Sequence, residues 1–281
     1  MSSRRKNAPK KPASERIPFV ARPFEGLPGE TDWVALREIV PAATAPLSLK
    51  DGTPVTLSTV LPMAWPGMVR VDGRRYLGLQ VASRSGDASR DLAAVLEQVV
   101  TAGAGTSITT VDLPPPGPRL QDLLTDTPLD LTVHDGFDFW IEGADDPDGT
   151  VAESMEQANA TVVPTVKLES VTSAYWCRMR EKSHLRWVLP HDEEPLLDAL
   201  ARMSVDGGLG LGDGTRYVGS FRAHGLLVPV WDLPLEPEAA DFEDAAKTWG
   251  ARLDAALAET ELSSEARRAR QGLVNRQLTL R

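Results

Sequence analysis

Sulfur chemistry is nearly absent from this chain, which has one cysteine, Cys177, in 281 residues. A lone thiol excludes an intramolecular disulfide framework, a cysteine-based structural zinc site and an iron–sulfur cluster, each of which needs several sulfurs. A reducing compartment is the default setting for such a chain. Long apolar runs are missing too: Pro, Gly or a charge interrupts every hydrophobic stretch short of the roughly 20 residues that cross a bilayer. No membrane span is expected. The opening MSSRRKNAPKKPASER is basic like the start of a signal peptide, but IPFVARPFEGLPGE has no apolar segment and is broken by Pro18, Pro23 and Pro28. Export is therefore not expected, and the expected location is cytoplasmic.

The motifs that announce common chemistries are also lacking. There is no GxSxG elbow and no HExxH helix. GGLGLGDG at 207–214 has neither the Lys nor the Ser/Thr of a phosphate-cradling loop, and it follows a helical segment where a dinucleotide-binding turn would follow a strand. It reads as a helix exit, as does TAGAGTS at 101–107. No cofactor and no metal site is expected.

What is present is an acidic body with basic ends. The net charge is −10, but residues 1–16 carry +5 and residues 262–281 carry +4, leaving −19 for the body. Such a body repels phosphate, so nucleic acid is disfavoured as a partner except through the basic ends. Residues 1–21 read as a disordered basic tail, too polar and Pro-rich to bury apolar surface. Contact with an acidic protein partner is the sharper option for it.

A weak internal repeat organises the rest. TDWVALREIV (31–40) and VAESMEQANA (151–160) each open a unit as a helix, followed by β-prone segments PAATAPLSL and VTLSTVLPM in one and TVVPTVKL and SAYWCRM in the other. YLGLQVA and HLRWVLP come next, each leading into an amphipathic helix. Leu92, Val95, Leu96 and Val99 share one helical face after a cap at Asp87, and Leu196, Leu197, Leu200 and Met203 share another after Asp192. Gly103 and Gly207 are read as left-handed exits, and strands ending in VDLP (111–114) and WDLP (231–234) follow. LPPPGPRLQDLLTDTP is a proline-rich joint. LDLTVHDGFDFWIE reads as a hairpin turning at His134–Gly136, and TRYVGSFRAHGLLVPVWDLP as another turning at His224 and Gly225. Residues 238–259 form a helix with Phe242, Ala246, Trp249, Leu253 and Leu257 on one face, and SSEARRARQG a short basic one. The expected class is α+β: two similar units of mainly antiparallel sheet with helices on one face, a tandem duplication, spanning 22–125 and 126–261, with a basic segment at 262–281.

Reactive side chains cluster between Tyr175 and Glu194. Cys177 becomes a nucleophile if His184 or His191 holds it as thiolate, whereas its alternation with Tyr175 and Met179 fits an ordinary strand core. Asp192, Glu193 and Glu194 suit a helix start better than a metal. His134 and His224 sit in turns, where histidine does acid–base work near neutral pH but turn chemistry also accounts for it. Trp176, Trp187 and Trp231 fall in predicted strands as core residues; the competing reading is a groove between the units lined by them and edged by Arg178, Arg186, Arg216 or Arg222. The leading functional expectation is a non-enzymatic binding or adaptor module. The alternatives are a small-molecule enzyme using Tyr175, Cys177, His184, His191 or His224, and a structural protein of an oligomer.

From about residue 22 the chain resembles an actinobacterial family of unknown function, through RPFEGLPGETDWVALREIVPAATAPLSLK, LPMAWP, SHLRWVLPHDEEPLLDALARM, GSFRAHGLLVPVWDLP and GLVNRQLTLR. Many members of that family carry an N-terminal SEC-C motif, a small zinc-binding segment, and are labelled preprotein translocase SecA for that reason. The SEC-C cysteines are not found here, since Cys177 lies far downstream, and no Walker motif supports a translocation motor. The resemblance implies no catalytic residues.

Overall fold

The computed structural model describes residues 18–80, 82, 85–114, 116–141, 150–275 and 278–279. The basic tail expected at the amino end falls outside these up to residue 17. The fold is α+β.

The first sheet holds β1 (Ala43–Leu47), β2 (Val55–Ser58), β3 (Gly67–Val69), β4 (Arg75–Gly78), β5 (Ser107–Ile108) and β6 (Thr132–Val133) in the order β5-β3-β4-β2-β1-β6. The second holds β7 (Thr165–Lys167), β8 (Ala174–Met179), β9 (Lys182–Trp187), β10 (Arg216–Ala223), β11 (Leu226–Leu233) and β12 (Leu278–Thr279) in the order β12-β10-β11-β9-β8-β7. Pairing is antiparallel except between β2 and β4 and between β10 and β12. Both sheets thus set two hairpins side by side, β1–β2 with β3–β4 and β8–β9 with β10–β11. The second hairpin points opposite ways in the two. After β2 only a short 3-10 turn (Pro62–Ala64) intervenes before β3, while α5 (Glu193–Val205) carries the chain back along the second sheet before β10. That return reverses the polarity, so β11 runs antiparallel to β9 where β4 runs parallel to β2.

Helix α1 (Glu30–Glu38), α2 (Ala88–Thr101) and the short α3 (Leu120–Leu123) accompany the first sheet; α4 (Thr150–Asn159) packs through Met155 against Ala42 and Phe137 beside it, and α6 (Glu243–Ala258) and α7 (Ser264–Asn275) join α5 on the second. α2 buries Leu92, Val95, Leu96 and Val99, and α5 buries Leu196, Leu197, Leu200 and Met203, as their spacing predicts. Asp87 caps α2 by accepting from the Ser89 amide at 3.1 Å.

The second sheet is buried on both faces. Leu227, Trp231 and Leu233 of β11 enter a core made with α5, α6 and α7. Leu226 and Val228, pointing the other way, enter a core shared with Trp33, Leu36, Leu77 and Leu92 of the first unit. A strap over residues 19–25 crosses this junction. Its Val20 amide donates to Gly86 O at 2.9 Å on the first unit, and Arg22 pairs with Glu30 at 2.6 Å and with Asp192 of the second unit at 3.1 Å.

Several local expectations are corrected. Residues 137–141 are not a return strand: β6 pairs with β1, and Phe137 is drawn off by Asn159, whose Oδ1 accepts from its amide at 2.7 Å, ahead of a 3-10 turn at Asp138–Trp140. VDLP at 111–114 is not a strand; the strand after α2 is β5. Gly103 does not take the left-handed conformation, which Gly207 adopts at φ 67°. The Asp192 side chain makes no cap bond to α5; it accepts from Arg22. The proline-rich joint packs onto the first unit, with Arg119 bonded to Asp87 at 2.8 Å and Leu120 buried, and the first sheet is completed beyond it by β6.

Candidate functional site

The register of the second sheet assembles a row that linear spacing hides. Cys177 lies opposite His184, His184 opposite Asp232, and Asp232 opposite Arg216. Cross-strand partners share a face, so these four project together. Met179 and Lys182, which flank the two-residue turn between β8 and β9, form the next row on the same face, and Tyr175, Arg186 and Val230 form the row on the other side.

Asp232 is the hub. Its Oδ2 accepts from Arg216 Nη2 at 2.5 Å and from Lys182 Nζ at 3.2 Å, and its Oδ1 lies 3.2 Å from His184 Nδ1. Burial pushes the Asp232 carboxyl up, but hydrogen bonds from Arg216 and Lys182 outweigh it and hold the group below the usual carboxylate range. Burial, aided by the Arg186 and Lys182 charges, holds the His184 imidazole below its ordinary value against the pull of Asp232. Cys177 is 2% exposed. Its burial raises the thiol, and neither Arg186 nor the hydrogen bond with the His184 backbone reverses that. At neutral pH the row therefore holds a protonated thiol, a neutral imidazole and an ionised carboxylate.

A cleft of about 780 Å³ opens at this end of the sheet. Its walls are the approach to β7, residues 160–164, and the hairpin tip, including Arg178, Met179, Arg180, Lys182 and His184. Met179 is 42% exposed there.

The other sequence candidates lie elsewhere. Tyr175 is fully buried, donates to Asp32 Oδ1 at 3.1 Å and has its hydroxyl pKa raised by burial and by that carboxylate. His191 precedes α5 and does not line the cleft. His224 sits at the junction, with Nε2 2.8 Å from Glu38 Oε1 and its ring against Phe24, and Arg222 pairs with Glu193. Trp187 and Trp231 form an aromatic core with Trp249. Trp176 is also buried, with Arg178 stacked on its ring at 4.8 Å while bonding Glu238. A junction cleft of about 560 Å³ is lined by Arg222 and His224, and no tryptophan lines it. Among the described residues no group of three or more His, Cys, Asp or Glu is placed to hold a metal ion.

Two functional candidates escaped sequence reasoning. Asp232 looked like a strand terminus, and only the pairing of β9 with β11 brings it to His184. Asp32, in the first turn of α1, is buried and accepts from Ser173 Oγ at 2.6 Å, from Tyr175 and from Lys167 Nζ at 3.3 Å.

The model of one protein family matches residues 23–281, nearly the whole chain. The chain belongs to DUF5926, a family of unknown function. No curated protein and no solved structure matches it. The DUF5926 region includes both sheets, the strap from Pro23 onward and the whole Asp232 row.

Proposed function

We propose that this DUF5926 chain is a non-enzymatic binding module of the cytoplasm that receives a partner in the cleft at the β8–β9 tip. The supporting observation is the contrast within that site: the surface offered to solvent is an exposed methionine among Arg180, Glu181 and Lys182, while the thiol in the next row is buried and protonated. The resemblance to an actinobacterial family whose members often carry SEC-C segments supports this reading, since a small accessory zinc segment suits a docking protein. Residues 1–16 supply auxiliary contacts by charge. The acidic body turns nucleic acid away. Among the described residues no helix is long and apolar enough to cross a membrane.

The test is affinity capture from native lysate with the full-length chain and with a Met179→Glu/Arg180→Glu/Lys182→Glu variant. A partner retained by the first and lost by the second is expected. Equal capture by both, or none by either, rules the cleft out.

The second reading, a small-molecule enzyme, draws on one observation: Cys177, His184 and Asp232 stand in a row in the order nucleophile, base, orienting acid. It requires a thiolate, and thiol reactivity decides it.

A further inference from the structure

Positive charge accumulates on one small part of an acidic molecule. The net charge is −10, yet the hairpin-tip end of the face that carries the Cys177 row gathers Lys182, Arg186 and Arg216 around Asp232. Lys182 and Arg216 both bond the same oxygen of Asp232. Each keeps further donors, since an ammonium has three and a guanidinium five. Arg186 has no carboxylate partner among the described residues; its Nη2 lies 3.9 Å from the Met179 sulfur. Arg180, at the hairpin turn, is exposed and borders the cleft. Glu181 is a second carboxylate at the cleft, which Arg180, Lys182 and His184 also line, while Arg186 and Arg216 stand beside it; four cations against two carboxylates leave a compact region of excess positive potential there.

We infer that this face binds a small dianion, a molecule with two carboxylates or a phosphate group, seated between Arg186, Lys182 and His184 with Arg180 and Arg216 at its rim. The inference deepens the cleft reading and rests on it. Each part has a physical role. The Arg186 guanidinium offers the planar, paired donors that match carboxylate and phosphate oxygens. Asp232 is a positioning residue: it aims Lys182 and Arg216 and cancels part of their charge, so the site has a defined shape. The Met179 side chain contributes apolar surface beside the anion. The adjoining cleft of about 780 Å³, lined by Met179, Arg180, Glu181, Lys182 and His184, has room for the rest of a metabolite-sized ligand.

The experiment is a titration of the full-length, ¹⁵N-labelled protein with inorganic pyrophosphate and separately with succinate, at low salt, following the His184 ring and arginine Nε signals by NMR. Butane-1,4-diol serves as the uncharged control. Saturable shifts at His184 and Arg186 with at least one anion are expected, and the stronger of the two identifies phosphate or carboxylate as the source. Arg186→Gln should weaken binding about tenfold while keeping native signal dispersion. Arg252→Gln, on α6 behind the sheet, should bind as the wild type does. Absence of saturable shifts with both anions, or equal weakening by the two substitutions, overturns the inference. If partner capture still depends on the hairpin tip in that case, the cleft reading stands and only the ligand class falls.

Discussion

Cys177 shows how much a neighbour's identity matters and how little it matters without exposure. Its cross-strand partner is a histidine and the next partner an aspartate, yet burial raises the thiol and lowers the imidazole, so both groups are neutral near pH 7. Only the thiolate is a nucleophile. Iodoacetamide at pH 8 should therefore alkylate native Cys177 at least about tenfold more slowly than the same residue in the unfolded chain, and His184→Gln should leave the slow rate unchanged. Mass spectrometry reads both. A native rate equal to or above the unfolded one would revive the enzyme reading. At this scale the sequence was informative about identity and silent about company. Cys177 and His184 are seven positions apart and could be paired through a short hairpin; Asp232 lies 48 positions beyond His184, and no local pattern reports that β11 docks beside β9.

Among the elements, those with a strong period and a definite terminator were legible. The faces of α2 and α5 and the turn at His224–Gly225 follow from spacing and from the demand for positive φ at both turn residues, which have 47° and 83°. The segment 129–141 was misread because alternating Phe137, Phe139 and Ile141 imitate a strand. In the fold those rings gather with Trp140 around a 3-10 turn, Phe137 stacking on Trp140 at 4.3 Å. Tertiary contact with Asn159 overrode the period, and no window of a dozen residues contains that contact. The Gly225 turn carries a second constraint. A Cβ there would meet Arg22 Cβ at 2.8 Å and Ala21 O at 2.9 Å, so the strap lies directly on it. Gly225→Ala should cost about 1–3 kcal/mol through backbone strain and displaced strap, and it should speed chymotryptic cleavage after Phe24, which is fully buried. An unchanged melting temperature together with unchanged cleavage would show that the strap does not depend on this turn.

Over the whole molecule, the two units are joined as a core and not merely tethered. Tyr175, Val188, Phe221 and Val228 of the second unit share one apolar cluster with the first. Asp32 sets its register as a buried carboxylate satisfied from across the junction by Ser173, Tyr175 and Lys167. Asp32→Ala leaves those donors without their acceptor and should lower stability by about 2–4 kcal/mol, with Tyr175→Phe costing about 1 kcal/mol. Chemical denaturation followed by tryptophan fluorescence and by far-UV circular dichroism is the measurement. Both signals should move together in Asp32→Ala, because a shared core melts as one; a loss confined to one signal would mean that the units unfold separately. The sequence foresaw an α+β fold of mainly antiparallel sheet, but not that the second sheet would bury residues on both faces, since alternation along a strand does not say what covers each side.

The strap gives the amino end a mechanical role. Residues 19–25 are fastened to the first unit through Gly86 and Glu30 and to the second through Asp192 and the Gly225 turn. Whatever is attached upstream therefore pulls on the seam between the units and not on a free end. Tension applied there loads the Val20–Gly86 hydrogen bond first and Arg22 next, and a bound partner's tug would be felt across the interface before either sheet is disturbed.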